Sequence, residues 1–287
     1  MSEVAHANAL RGAEFKKHLG QPKTWIIIGI CSALMGLTGA VIEPVVALAL
    51  FVITLLAGIL VTFIVADGRA AKTFYAAYAE SRGLTMWSTK SLGGSTPLLR
   101  KGDKQRVEVI FEGELAPGSE GQLALWSFIV ESRGGKGNKS ETHYRFTLVL
   151  LSVPESTQHL KDLRAQRQSG FKALEKFEDA FRRSHERVTL ESETMHDKYE
   201  IFRGKQEDEI WVRRLFSPSF IVWLSEVPPK KFGFELENGW LCAYVPKYRD
   251  SAEGLDEMVR IGTTVAARVR EEVSQSSPTE TEREITQ

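Results

Sequence analysis

Glycine, lysine and serine come together in Arg133-Gly-Gly-Lys-Gly-Asn-Lys-Ser140, a composition suited to cradling phosphate. A P-loop needs a glycine directly before its lysine-serine pair and another five residues earlier. Asn138 and Arg133 hold those two positions, and the segment joins two strand-like stretches instead of a strand and a helix. Nucleotide binding is therefore not indicated. What remains is charge: Arg133, Lys136 and Lys139 are candidates for contact with anionic lipid headgroups, whose surface potential attracts basic side chains.

A second cluster, Ser184-His-Glu-Arg-Val-Thr-Leu-Glu-Ser-Glu-Thr-Met-His-Asp197, gathers histidines and carboxylates. No HExxH-type spacing places two ligands on one helix face, so a charged, exposed surface is the expectation. His143 and His159 stand alone by the same test. Gly118-Ser-Glu-Gly121 lacks the spacing of a nucleophile elbow and reads as a turn after Pro117. Cys242 sits among aromatic residues in a strand-like run, where a cysteine behaves as a small apolar residue. These patterns imply no catalytic residue, no metal and no cofactor, and the expectation is a binding or scaffold protein, with a membrane-associated enzyme lacking a recognisable catalytic motif or an oligomerising transport element as the alternatives.

The elements that would position these residues begin with composition. The chain has 287 residues, 37 basic and 37 acidic side chains, 43% hydrophobic residues and two cysteines. Exact charge balance argues against a nucleic-acid binder, whose affinity rests on neutralising phosphates. Two cysteines cannot build a disulfide scaffold.

The apolar residues are unevenly spread. Between 25 and 66, 32 of 42 residues are apolar and Glu43 is the sole acidic or basic one. Glu43-Pro44 divides the run into 18 and 22 residues. At about 1.5 Å per residue these make helices of about 27 and 33 Å, each able to span a hydrocarbon core of about 30 Å. A signal peptide carries one short apolar region, not two in tandem. The reading is a two-helix hairpin in the lipid bilayer. Arg11, Lys16, Lys17 and Lys23 precede it, Arg69, Lys72 and Arg82 follow it, and the connecting loop has no basic residue. The positive-inside rule then puts both termini in the cytoplasm of a multi-pass protein of the plasma (inner) membrane. Gly29, Ala33, Gly36 and Ala40 form a stripe of small residues for close helix packing, against the second span or in a homo-oligomer.

Past residue 66 the pattern is that of an α+β domain. Residues 69–82 read as a short helix continuing the second span, with Asp67-Gly68 as a potential break. Alternation over 106–112, 122–131 and 142–151 gives three antiparallel strands. Residues 156–185 read as one or two helices, 187–191 and 198–203 as short strands, and 207–215 as a helix with Ile210, Trp211 and Leu215 inward. Ser217-Pro218 opens another helix. Asn238-Gly239 is a type I′ hairpin turn, and the apolar face of 255–273 marks a closing helix. Trp211, Phe220, Trp223, Phe232, Phe234, Trp240 and Tyr244 supply a core, with some as candidates to line a binding groove. The layout is 1–24 cytoplasmic, 25–66 hairpin, 67–273 cytoplasmic α+β domain of antiparallel strands with packed helices, and 274–287 a disordered tail.

Three segments carry a resemblance: Thr96-Pro-Leu-Leu-Arg-Lys-Gly-Asp103, Glu191-Ser-Glu-Thr-Met-His-Asp-Lys-Tyr-Glu-Ile201 and Arg213-Arg-Leu-Phe-Ser-Pro-Ser-Phe220. Together, over about residues 25–270, they resemble a bacterial family of unknown function with an N-terminal membrane hairpin and a cytoplasmic α+β domain. The resemblance implies that topology and no activity, cofactor or site residue. The partners expected are the bilayer, through 25–66, and a membrane or cytoplasmic protein; nucleic acid is not expected.

Overall fold

The computed structural model describes residues 13, 16–17, 20–40, 43–133, 139–167 and 184–276. The chain divides into two compact units, Met1–Arg82 and Gly83–Gln287.

In the first unit, α1 (Pro22–Ala40) and α2 (Pro44–Ser81) form an antiparallel pair, both long and apolar enough to cross a membrane. Proline disfavours a helical residue before it, and Glu43 is accordingly extended (φ −164°, ψ 144°). The pairing seam runs along Ile28, Ser32 and Gly39 of α1. A side chain at Gly39 would come within 2.7 Å of Ala47 Cα, and one at Gly58 within 2.8 Å of Ile28. Away from the seam α1 from Trp25 onward and α2 up to Ala66 are apolar all round, with Ile26, Leu37, Val45 and Leu60 exposed. Their hydroxyls bond their own helix: Ser32 to Ile28 O (2.8 Å), Thr38 to Met35 O (2.8 Å), Thr54 to Leu50 O (2.8 Å) and Thr62 to Gly58 O (2.9 Å). Each of these hydroxyls thus has an acceptor within its own helix. α2 runs through Asp67-Gly68 without a break and ends at Ser81.

The second unit is built on nine strands: β1 (Thr85–Trp87), β2 (Lys104–Ala116), β3 (Ser119–Arg133), β4 (Lys139–Ser152), β5 (Asp162–Arg167), β6 (His185–Val188), β7 (Tyr199–Gly204), β8 (Gly233–Glu237) and β9 (Trp240–Pro246). They form one sheet in the order β1-β2-β3-β4-β9-β8-β5-β7-β6, every neighbouring pair antiparallel. The helices are α3 (Glu193–Lys198), α4 (Glu209–Leu215), α5 (Pro218–Glu226) and α6 (Ala252–Ser276). Antiparallel strands with packed helices make the α+β class.

Because side chains alternate across a strand, the register builds two cores. On one face Trp126, Phe128, Phe146, Leu148 and Tyr244 pack with Leu98 and Leu99 of the segment 88–103, which crosses that face as a strap. On the other, Val149 and its neighbours meet the apolar stripe of α6, where a side chain on Gly262 would come within 2.9 Å of Val149. Asn238 (φ 49°) and Gly239 (φ 78°) make the left-handed turn expected between β8 and β9.

Two expectations are corrected. Within 156–185, residues 162–167 are strand β5, with Leu163 and Ala165 on one face and Arg164 and Gln166 on the other, all buried. The rest of that stretch, 168–183, and residues 277–287 lie outside the described residues, while α6 extends to Ser276. Ile210 is 69% exposed, because Trp211, Val212 and Leu215 set the inward face of α4.

Gly102 (φ 83°) sits where the strap enters β2, and a side chain there would come within 2.7 Å of Phe128 Cβ. Gly102→Ala is expected to destabilise by about 1–3 kcal/mol. Nothing lies within 4 Å of Gly29, so Gly29→Ala is the neutral comparison. Thermal unfolding of the full chain in detergent, followed by tryptophan fluorescence, separates the two.

Candidate interaction groove

Charged side chains converge in three places, and their geometry separates fastening from binding. The first is under the strap. Glu235, 1% exposed, accepts from Leu98 N–H at 2.7 Å and faces Arg164 Nε at 3.1 Å. Arg100 donates to Glu237 at 2.6 Å and to Gly94 O at 2.9 Å, and the Asp103 carboxylate accepts from Glu131 N–H at 2.7 Å. The first of the three resemblance segments is thus a fastening. Burial pushes the thiol of Cys242 and the phenol of Tyr244 up, with the Glu235 charge adding to both. A thiol so held is not a nucleophile. Farther along the strap, Lys90 donates to both oxygens of Glu112 at 2.6 Å and Gln122 donates at 2.7 Å, and these bonds hold the Glu112 carboxyl below its usual range.

The second place is a cleft of about 670 Å³ whose walls include Arg100, Arg164, His185, Lys205, Glu207 and Glu237. There Ser184 Oγ lies 2.9 Å from His185 Nδ1, and His185 Nε2 lies 2.5 Å from an Asp162 oxygen. His185 stands opposite Gly204 in the register, and that residue's missing side chain opens the way from β6 across β7 to β5. A charged, exposed surface was expected of this histidine; its side chain is instead 9% exposed and pins an edge strand. Among the described residues no group of three or more His, Cys, Asp or Glu side chains is placed to hold a metal.

The third place is a groove between α4, α5 and α6. Asp208 caps α4 by accepting from Ile210 N–H at 2.8 Å, and Arg213 closes onto Glu209 one turn back at 2.9 Å. That bond, with a second from Arg203, holds the Glu209 carboxyl below its usual range. Pro218 starts α5 immediately after Ser217. Beneath both helices Glu272 of α6, its side chain 2% exposed, bridges Arg214 (2.9 Å) and Arg268 (2.9 Å). Arg268 also donates to Leu215 O (3.0 Å) and Arg214 O (2.7 Å), which satisfies carbonyls left open at the end of α4. The resulting groove, about 700 Å³, has walls of Leu190, Phe216, Ile221 and Val222 with Arg213 and Arg214 at its rim. Glu191 and Ser192 of the second resemblance segment meet the third segment here. Apolar walls with a few placed charges are the common composition of a binding surface.

No protein-family model and no curated protein sequence matches the chain. Among solved structures it is similar to the crystal structure of the mycobacterial trehalose monomycolate transport factor A, TtfA, with a TM-score of 0.45 and 10% identity, over 71% of this chain and 94% of that one.

The residues singled out from sequence lie elsewhere. Arg133 and Lys139 are opposite partners at the end of the β3–β4 hairpin, and Lys136 lies outside the described residues. Of the small-residue stripe, Gly36 faces Phe51 of α2, whereas Gly29, Ala33 and Ala40 are exposed on the hairpin. Of the seven aromatic residues expected as core or groove, Trp211, Phe220, Phe232, Phe234 and Tyr244 are buried, and Phe216 is the aromatic wall of the groove. Glu235 and Glu272 went unread. The one local signal for the groove was the Arg213-Arg214 pair directly before the apolar run Phe220–Leu224.

Glu272→Ala removes the buried acid shared by Arg214 and Arg268, while Arg214 is half exposed and Arg268 keeps Glu271 at 2.9 Å, and is expected to cost about 1–3 kcal/mol, against at most about 1 kcal/mol for the exposed Arg213→Ala, read by thermal unfolding. The stabilisation from Glu112 is complete above the ordinary glutamate pKa of about 4.3. It is lost as pH falls through the lower value the carboxyl has when folded. The stability gap between the wild type and Glu112→Gln should therefore close between about pH 5 and pH 2.

Proposed function

We propose that the chain is a membrane-anchored binding protein that works through the α4–α5–α6 groove rather than through catalysis. In this reading residues 25–66 cross the plasma (inner) membrane of a bacterial cell twice, both termini are cytoplasmic, and the domain beyond the hairpin is cytoplasmic. Two apolar helices of 19 and 38 residues, with hydroxyls bonded within each helix, support the anchor. The distribution of basic residues supports the orientation. The observation that carries the binding reading is Val222, 54% exposed on a folded domain beside an arginine-rimmed groove. It stands with Leu190, Phe216 and Ile221 in one recess of about 700 Å³, and apolar walls with a few placed charges are the usual composition of a binding site.

Two measurements test this. With Cys31 replaced by serine, Glu43→Cys should react with an impermeant maleimide in intact cells and Ser274→Cys only after permeabilisation; the reverse pattern defeats the topology. A photo-crosslinking residue at Val222 should give adducts in native membranes that one at exposed Glu120 does not. Equal yields at both positions would defeat the groove.

A second reading, a membrane-associated enzyme, has the Ser184–His185–Asp162 row in its favour, since that order of groups resembles an acyl-transfer relay. A fluorophosphonate probe discriminates. Labelling abolished by Ser184→Ala would favour the enzyme, and the binding reading expects none.

A further inference from the structure

One stretch of strand edge in the sheet has no neighbour among the described residues. β4 pairs with β9 only from Phe146 to Ser152, whereas its residues 139–145 pair with β3 alone. Lys247 N–H bonds Arg145 O at 2.7 Å, which closes the lane at that end. The same bond shows that the backbone groups of Arg145 point away from β3. Backbone direction alternates along a strand, so those of His143 and Glu141 point the same way. Among the described residues no backbone group pairs with either of them on that side. Ser140, Glu141, Thr142 and His143 are all exposed. An open edge of this kind is a template for another strand.

We propose that this edge pairs with the same edge of a second copy of the chain, antiparallel, with Thr142 opposite the partner's Thr142. A two-fold contact is self-complementary, so its register must set outward-pointing residues against one another and keep like charges apart. An axis at Glu141 would put two carboxylates face to face. An axis at His143 would set Glu141 against Arg145, whose carbonyl Lys247 already holds. An axis at Thr142 sets Glu141 against the partner's His143 and His143 against the partner's Glu141, and it uses the whole open stretch from Ser140 to Tyr144. The charges favour this register. Glu131 and Glu141 stand opposite each other in the β3–β4 ladder and share one cation, Lys104. Two carboxylates on a single lysine leave negative charge over, and the partner's imidazole brings a donor to it. Within the chain His143 lies 3.7 Å from Glu141, and both side chains are about half exposed, so a second neighbour has room. At the axis the two threonines form a non-hydrogen-bonded pair, with Cα atoms about 4.5 Å apart. The α4–α5–α6 groove plays no part in this contact.

The test uses the full chain in a Cys31→Ser background, reconstituted in vesicles and treated with a mild oxidant. Thr142→Cys should form a disulfide-linked dimer, because a disulfide needs Cα atoms about 4.4–6.8 Å apart. Ser140→Cys, displaced from its counterpart by four residues or about 13 Å along the strand, should give several-fold less. Glu141→Lys should cut the Thr142→Cys yield several-fold, and adding His143→Glu should restore it by exchanging the two charges. A Thr142→Cys chain that stays monomeric overturns the proposal. Yields at Ser140→Cys equal to or above those at Thr142→Cys overturn it too, as the mark of random collision or of another register. So does a yield that Glu141→Lys leaves unchanged. Dimers that crosslink through Gly29→Cys, with none through Thr142→Cys, would place self-association in the hairpin and defeat the strand edge.

Discussion

One carboxylate joins the parts of the domain that have least reason to stay together. Glu235, on β8, accepts an N–H from the strap and stands against the Arg164 guanidinium of β5, and only 1% of its surface reaches water. A lone buried charge would be costly, and the N–H together with the arginine's opposite charge makes it tolerable. Leu98 and Leu99 can be pressed onto Trp126 and Phe128 because the backbone between them is anchored there. The aromatic core, the turn at Gly102 and the entry into β2 all follow from that placement.

The elements legible in the sequence were those whose signal is local. Strands β2 and β4 alternate strongly enough to be seen, β3 is apolar on both faces as a central strand is, and Asn238-Gly239 names its own turn. β5 was not legible, since its buried Arg164 and Gln166 read as solvent-facing until a partner 71 positions away is known. The hairpin gave a subtler miss. Every turn of α1 carries small residues, so composition alone does not tell which stripe faces α2. Contact with Ala47 and Phe51 selects Gly39 and Gly36. The groove was invisible for the same reason as β5: Glu272, which lines it, lies over fifty residues away in sequence from its partner Arg214.

The two clefts and the groove differ in how their charges are spent. Under the strap and along His185–Asp162, each charge named closes a bond between elements, so those sites hold the sheet together. In the groove, Glu272 and Glu209 serve the arginines, and the arginines stand at the rim. Apolar residues beside them remain in water. Internal pairing accounts for the charges in all three places, and what sets the third apart is the apolar wall of Leu190, Phe216, Ile221 and Val222 beside them.

α2 has a mechanical meaning. Its apolar and polar parts are one helix of 38 residues, about 57 Å long at the usual rise. Asp67-Gly68, the natural swivel, is wound into it. A hydrogen-bonded helix is stiff in torsion, so a turn of its apolar end about the axis reaches Ser81 with little loss, where a flexible joint would have dissipated it. Residues 67–81 are therefore a rigid extension of the apolar part of the same helix.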